Sequence, residues 1–206
     1  MVGTILYVVN VDRENGRGRG VLWAHLLAYL VGSTLVGGLL GAVGALLTPQ
    51  AATPTRTLAV LGATGVAALL YGLGELSLLR VPTPRVRRQV PSGLRLTMRR
   101  RKLMAVVYGF ELGVGFTTYV TATTFYVVAL WIVLAGSPLL GVLTMMGFGL
   151  GRAVPMLMLS RYRGDTAWRS RLIEGLEGWT PLVHLANGLI LGFCGASFLV
   201  AGLITR

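Results

Sequence analysis

Five long apolar runs, separated by basic or proline-rich breaks, make up most of the chain, at about 21–47, 57–79, 104–134, 139–160 and 180–204. Crossing a hydrocarbon core of about 30 Å takes about 20 helical residues, so each run is long enough to span. The pattern predicts an all-α, polytopic integral membrane protein with five transmembrane helices in a single transmembrane domain over residues 1–206. The opening stretch Val2 to Val9 is apolar but too short to span, and it lacks the basic start and small-residue cleavage site of a signal peptide.

The runs differ in what they carry. Run one sets a small residue at every fourth position, Ser33, Gly37, Gly41 and Ala45, a spacing that lets a second helix approach backbone to backbone. Run two has the same habit in Gly62, Ala63, Gly65, Ala67 and Ala68. Run three, from Met104 to Leu134, would reach about 46 Å as a straight helix, so it must tilt strongly or break. Gly113 to Tyr119, followed by Thr121, Thr123 and Thr124, offers the place for a break. In run four, Gly147, Gly149 and Gly151 precede Pro155, which is expected to kink or interrupt the helix near Gly151.

Composition agrees with the pattern. Of 206 residues 54% are hydrophobic and 13% charged, about half the charged share of a soluble domain, and the mean hydropathy is +0.71. The net charge is nonetheless +12, and its distribution assigns an orientation. Arg13, Arg17 and Arg19 precede run one, nine basic residues lie in 80–103, and Arg161, Arg163, Arg169 and Arg171 lie in 161–179. On the opposite side are Arg56 and Arg206. The positive-inside rule then places the N-terminus in the cytoplasm and the C-terminus outside, in a multi-pass protein of the cell (inner or plasma) membrane. Basic residues sitting between apolar runs exclude an ordinary nucleic-acid binder. The expected partners are the lipid bilayer, anionic headgroups along the basic loop 80–103, and other membrane subunits or a second copy of the chain. Trp168, Leu172, Leu176 and Trp179 recur at helical spacing and read as a short interfacial helix.

Chemistry-bearing side chains inside the runs include Glu75, Glu111, Arg152 and His184, with neutral Asn187 nearby. A lone charge at depth costs about 2.5–3.5 kcal/mol on insertion scales, so each needs a partner or a wet cavity. Glu111 and Arg152 fall roughly 10–12 Å below the cytoplasmic surface on consecutive antiparallel helices. They are expected to pair, as a staple or as a pair that opens to an ion, with Tyr108, His184 and Asn187 at comparable depth. Gly113, Thr117, Thr121 and Thr124 share one face, and Thr118 adjoins it. The candidate intramembrane polar site is therefore Glu111, Arg152, Thr117, Thr118, Thr121, Tyr108, His184 and Asn187. The single cysteine, Cys194, excludes a disulfide within this chain and a multi-cysteine metal site. With no nucleotide loop, metal-ligand cluster or nucleophile–base constellation, no catalytic residue, metal or cofactor is expected, and the sequence leans away from an enzyme.

The run Arg17-Gly18-Arg19-Gly20 leading into a glycine-rich span, Gly109…Gly113-Val114-Gly115-Phe116-Thr117-Thr118-Tyr119, and Phe148-Gly149-Leu150-Gly151…Pro155 resemble the CcdA-like transmembrane family. That family includes cytochrome c biogenesis proteins, the membrane core of DsbD and a methylamine-utilisation accessory protein. The resemblance implies a six-helix inverted-repeat fold of two three-helix halves, here lacking its first helix. It also implies thiol electron transfer in the redox members. Where those carry a Thr-Pro-Cys type break, this chain has Thr117-Thr118-Tyr119, so the scaffold is implied without the thiol chemistry. Three functions follow in order: a redox-inactive assembly factor or structural subunit of a membrane complex; a small-solute or ion transporter using the broken third and fourth helices; and a thiol relay completed by another chain.

The basic asymmetry makes a direct prediction. Single cysteines at Thr53 and Ser92, in a Cys194→Ser background, label from opposite faces of the membrane. Labelling of both from one side overturns the orientation.

Overall fold

A computed structural model describes residues 19–47, 53–82, 101–115, 123–161, 175 and 178–204. Within them are six α-helices: α1 (Arg19–Leu47), α2 (Pro54–Glu75), α3 (Arg101–Val114), α4 (Thr124–Ala135), α5 (Pro138–Arg161) and α6 (Thr180–Ile204). Among the described residues, Gly20–Leu47, Pro54–Glu75 and Thr180–Ile204 are each long and apolar enough to cross a membrane, while α4 and the stretch Pro138–Val154 are shorter apolar helices. Large apolar side chains face outward, as a lipid-embedded protein requires. Trp23, Leu27, Val31, Leu35, Leu39 and Val43 form an exposed stripe along α1.

Run three is two helices. α3 stops at Val114, and Gly115 adopts φ 73°, a left-handed conformation that glycine takes without strain. α4 resumes at Thr124. At about 21 Å and 18 Å, neither piece crosses a 30 Å core alone. Run four is not interrupted: α5 is a single helix from Pro138 to Arg161 that passes through Gly151 and Pro155. A proline removes one amide donor, and the flanking ladder bonds suffice to carry the helix past it. Run two ends early. The amides of Ser77 and Leu78 bond back to the carbonyls of Gly74 and Leu73, with Ser77 at φ 60°. This is a Schellman stop, and it makes Glu75 the last helical residue although Leu78 and Leu79 continue the apolar run. The segment 2–9, most of the basic loop 83–100, and Trp168, Leu172 and Leu176 lie outside the described residues.

The chain divides into two compact units, the first of residues 1–37, 86–119 and 142–173, the second of 38–85, 120–141 and 174–206. In the first unit α1 and α3 run parallel. Gly109 abuts the His25 carbonyl and Gly113 the Tyr29 carbonyl, so closely that a Cβ at either would lie 2.2 Å or 2.1 Å from that oxygen. α5 runs antiparallel to α1. Ala153 and Leu157 pack on Leu22 and Leu26, and Gly149 lies against Ser33 and Leu30.

In the second unit the close contact is between α2 and α6, which run antiparallel. Gly65 faces Gly195 and Gly72 faces Gly188, backbone against backbone. Ala68, Val127 and Leu191 form the core beside them, with Tyr71 against it. The end of α1 joins this unit, where Gly41 meets Ser137 and Pro138, and Gly44 meets Val133. Of the small stripe on α1, Ser33, Gly37 and Gly41 are buried and Ala45 is half-buried. Gly62 on α2, by contrast, faces open space.

These contacts predict which glycines are indispensable. Gly109→Ala and Gly195→Ala lower stability by about 1–3 kcal/mol, because the methyl group collides with backbone that cannot yield. Gly62→Ala and Gly192→Ala meet nothing and are neutral or stabilising, by up to about 1 kcal/mol of helix propensity. Thermal unfolding of the four variants in one detergent checks the contrast.

Candidate functional site

A helix that begins inside an apolar medium exposes amide donors with nothing to bond. α4 begins beside the last residue of α2, and its own cap does not supply an acceptor. Thr123 stands at the N-cap position in helical conformation, and its side chain caps none of the α4 amides. The solution comes from α2. Glu75, whose side chain is 3% exposed, accepts the Thr123 amide at 3.1 Å and the Thr123 hydroxyl at 2.6 Å, both on Oε1. A carboxylate is the group that a helix N-terminus favours, because the helix dipole puts partial positive charge there. The opposite end of α4 is treated in kind. Arg56 of α2 donates from its guanidinium to the Ala135 carbonyl at 3.0 Å. One helix thus supplies an acid to the positive end of its neighbour and a base to the negative end.

α6 completes the cluster. His184 places Nδ1 on Oε2 of Glu75, and its side chain is 44% exposed. One turn along the same helix, Asn187 accepts a hydrogen bond from the Thr124 hydroxyl through Oδ1. Below the Glu75–Thr123 contact, Tyr71 and Tyr126 stack with ring centroids 6.0 Å apart. The arrangement is an acceptor-rich end of a three-helix unit, with one buried carboxylate and a half-exposed imidazole over it. Among the described residues no group of three His, Cys, Asp or Glu side chains is placed to hold a metal ion.

The first unit holds the other charge. The Arg152 guanidinium lies 5.9 Å from the Tyr29 ring centroid and 5.8 Å from that of Phe148, within cation–π range. Because Gly113 abuts the Tyr29 carbonyl, Arg152 stands level with the last turn of α3, where Glu111 is half-buried. The two residues therefore share a level within one unit. Tyr108 is one turn earlier on α3. His25, 2% exposed, donates from Nδ1 to the Ala105 carbonyl at 3.1 Å and ties α1 to α3.

Of the candidate residues, the structure brings His184 and Asn187 together, around Glu75 and Thr124. Glu111, Arg152 and Tyr108 belong to the first unit. Thr117, Thr118 and Thr121 lie outside the described residues. The hub, Glu75, is legible in the sequence as an intramembrane acid, but nothing in the apolar pattern connects it to Thr123, 48 positions away. The signal that finds it is the broken helix itself, since a new helix start calls for an acid and Glu75 lies near the end of the preceding apolar run. Cys194 is half-buried in α6 and free.

Comparison with known proteins gives a consistent result. The family described as cytochrome c biogenesis protein transmembrane region matches residues 1–193. The methylamine utilization protein MauF of Paracoccus denitrificans is 34% identical over 207 residues, covering 95% of this chain and 70% of that protein. MauF of Paracoccus versutus is 32% identical, covering 95% and 71%, and MauF of Methylophilus methylotrophus 33% identical, covering 82% and 60%. No solved structure matches.

The α2 clamp on α4 is open to a two-sided test. Glu75→Gln keeps the shape but loses the charge facing a helix start, and destabilises by about 2–4 kcal/mol. Arg56→Met, at the less buried end, costs about 1 kcal/mol. Hydrogen exchange in detergent should quicken first at the opening turn of α4 in Glu75→Gln, and at α2 and α6 much less. Equal exchange across all three helices counts against the clamp.

Proposed function

This chain belongs to the cytochrome c biogenesis protein transmembrane region family, and from that footing we propose that it is a redox-inactive accessory protein. In this reading it works as an assembly factor or structural subunit of a membrane complex. It crosses the cell membrane five times, with run three as its interrupted span, its N-terminus in the cytoplasm and its C-terminus outside. The relative directions of the helices within each unit agree with that count: α3 parallel to α1 and α5 antiparallel to it, α4 and α6 antiparallel to α2. By its likeness to MauF, the complex it serves is one required for methylamine utilisation.

The observation that carries the reading is Cys194. Thiol electron transfer cycles two cysteines between dithiol and disulfide, and this sequence holds one, set in the glycine-rich apolar helix α6 away from the interrupted segment. One thiol, in this sequence, is what supports a family member that works without thiol exchange. A second reading, movement of a small solute or ion, is favoured by one feature, the break in run three with Glu75 and His184 beside it.

Purification in mild detergent from cells growing on methylamine tests the first reading. The chain is expected to bring further membrane subunits in fixed stoichiometry, and recovery of the chain alone counts against it. Cys194→Ser is expected to support the same growth as the native chain. Loss of function in that variant, with normal folding and expression, returns the thiol relay to first place.

A further inference from the structure

The two oxygens of Glu75 are not equivalent. Oε1 is committed twice over to Thr123, inside the unit. Oε2 is held by His184, a side chain nearly half exposed on the first turn and a half of α6. Rotation of that one imidazole uncovers a carboxylate oxygen while leaving the α4 start capped. On the helices packed around it, charged side chains are few. α4 carries no charged residue, α6 carries none besides His184, and on α2 the other charge, Arg56, is bonded at the far end to Ala135.

We propose that Glu75 Oε2 is a binding site for a small primary ammonium ion, which enters by displacing His184. The chemistry selects this class. The negative carboxylate excludes anions, and the absence of a three-ligand group among the described residues argues against a transition metal. An –NH3⁺ group has three donors and no acceptor, which suits a carboxylate oxygen, and the Asn187 amide oxygen, on the Thr124 hydroxyl, is a further acceptor one turn along α6 from His184. The stacked rings of Tyr71 and Tyr126, one turn from Glu75 on α2 and one turn from Thr123 on α4, supply the aromatic surface that favours an alkylammonium over a bare alkali ion. His184 is then a reversible occupant of the site: its ring N–H makes the bond that an ammonium N–H makes in its place. The inference does not depend on whether the protein assembles a complex or moves a solute, because binding alone is claimed.

The test uses the full-length chain in detergent and methylammonium chloride as the probe, read by thermal shift and by equilibrium dialysis of the labelled cation. The native chain is expected to bind saturably, and tetramethylammonium, which has no N–H donor, and sodium to bind at least tenfold more weakly. His184→Ala removes the competitor and leaves the α4 cap intact, so it should fold and bind methylammonium severalfold more tightly. Glu75→Gln should abolish binding, and circular dichroism establishes that the variant is folded before it is read. Absence of saturable binding in both the native chain and folded His184→Ala overturns the proposal, as does equal binding of tetramethylammonium. A His184→Ala variant that binds more weakly than the native chain shows the imidazole to be a ligand in its own right and overturns the displacement.

Discussion

The structure of the second unit depends on what becomes of the amide groups at a helix start packed among apolar helices. Breaking run three creates such a start at Thr123, and a bare one costs more than a short helix can return through packing. Glu75 meets that cost from a neighbouring helix, and its own burial is in turn met by two Thr123 donors and His184. The acid and the helix end are mutually necessary. Arg56 at the other end of the same helix pair gives α4 a charged partner at each terminus, which lets a 12-residue helix hold a fixed position where its length alone would not.

Close backbone approach is the second organising device, and it does a different job. Lipid removes the hydrophobic drive for helix association, so contact must come from dispersion, which needs small residues at the crossing. Gly65 on Gly195 and Gly72 on Gly188 bring α2 and α6 together, while Gly109 and Gly113 seat α3 on the carbonyls of α1. The glycine contacts set the distance between α2 and α6 over which His184 reaches the carboxylate.

Much of this architecture is legible in the hydropathy of the chain. The apolar runs locate α1 and α6 to within two residues, and the excess length of run three, with glycine at Gly113 and Gly115, marks the break at the place where α3 ends. Three things escape the pattern for physical reasons. The end of α2 is set by backbone turns at Ser77, and the leucines that follow are as apolar as the helix, so the run continues to residue 79. Pro155 marks a lost hydrogen bond but not how well its neighbours tolerate the loss. And depth along a helix is readable from residue number, whereas the direction in which a side chain faces is not. That is why Glu75 and His184 can be assigned to the apolar runs from sequence, but their meeting cannot.

The clamp gives α2 the character of a measuring rod. From Arg56 to Glu75 it rises about 28 Å, while α4 rises about 18 Å, and two long side chains make up the difference. Such a rod tolerates changes of residue far better than changes of length. One residue inserted anywhere between those positions turns Glu75 by about 100° away from Thr123 and moves it along the axis by about 1.5 Å. Placed between Gly65 and Gly72, it also puts the two glycines out of phase with their partners on α6. Insertions and deletions in this lineage should therefore collect in the connections and spare that interval, and the spacing between the arginine and the glutamate should persist even where the apolar residues between them have drifted.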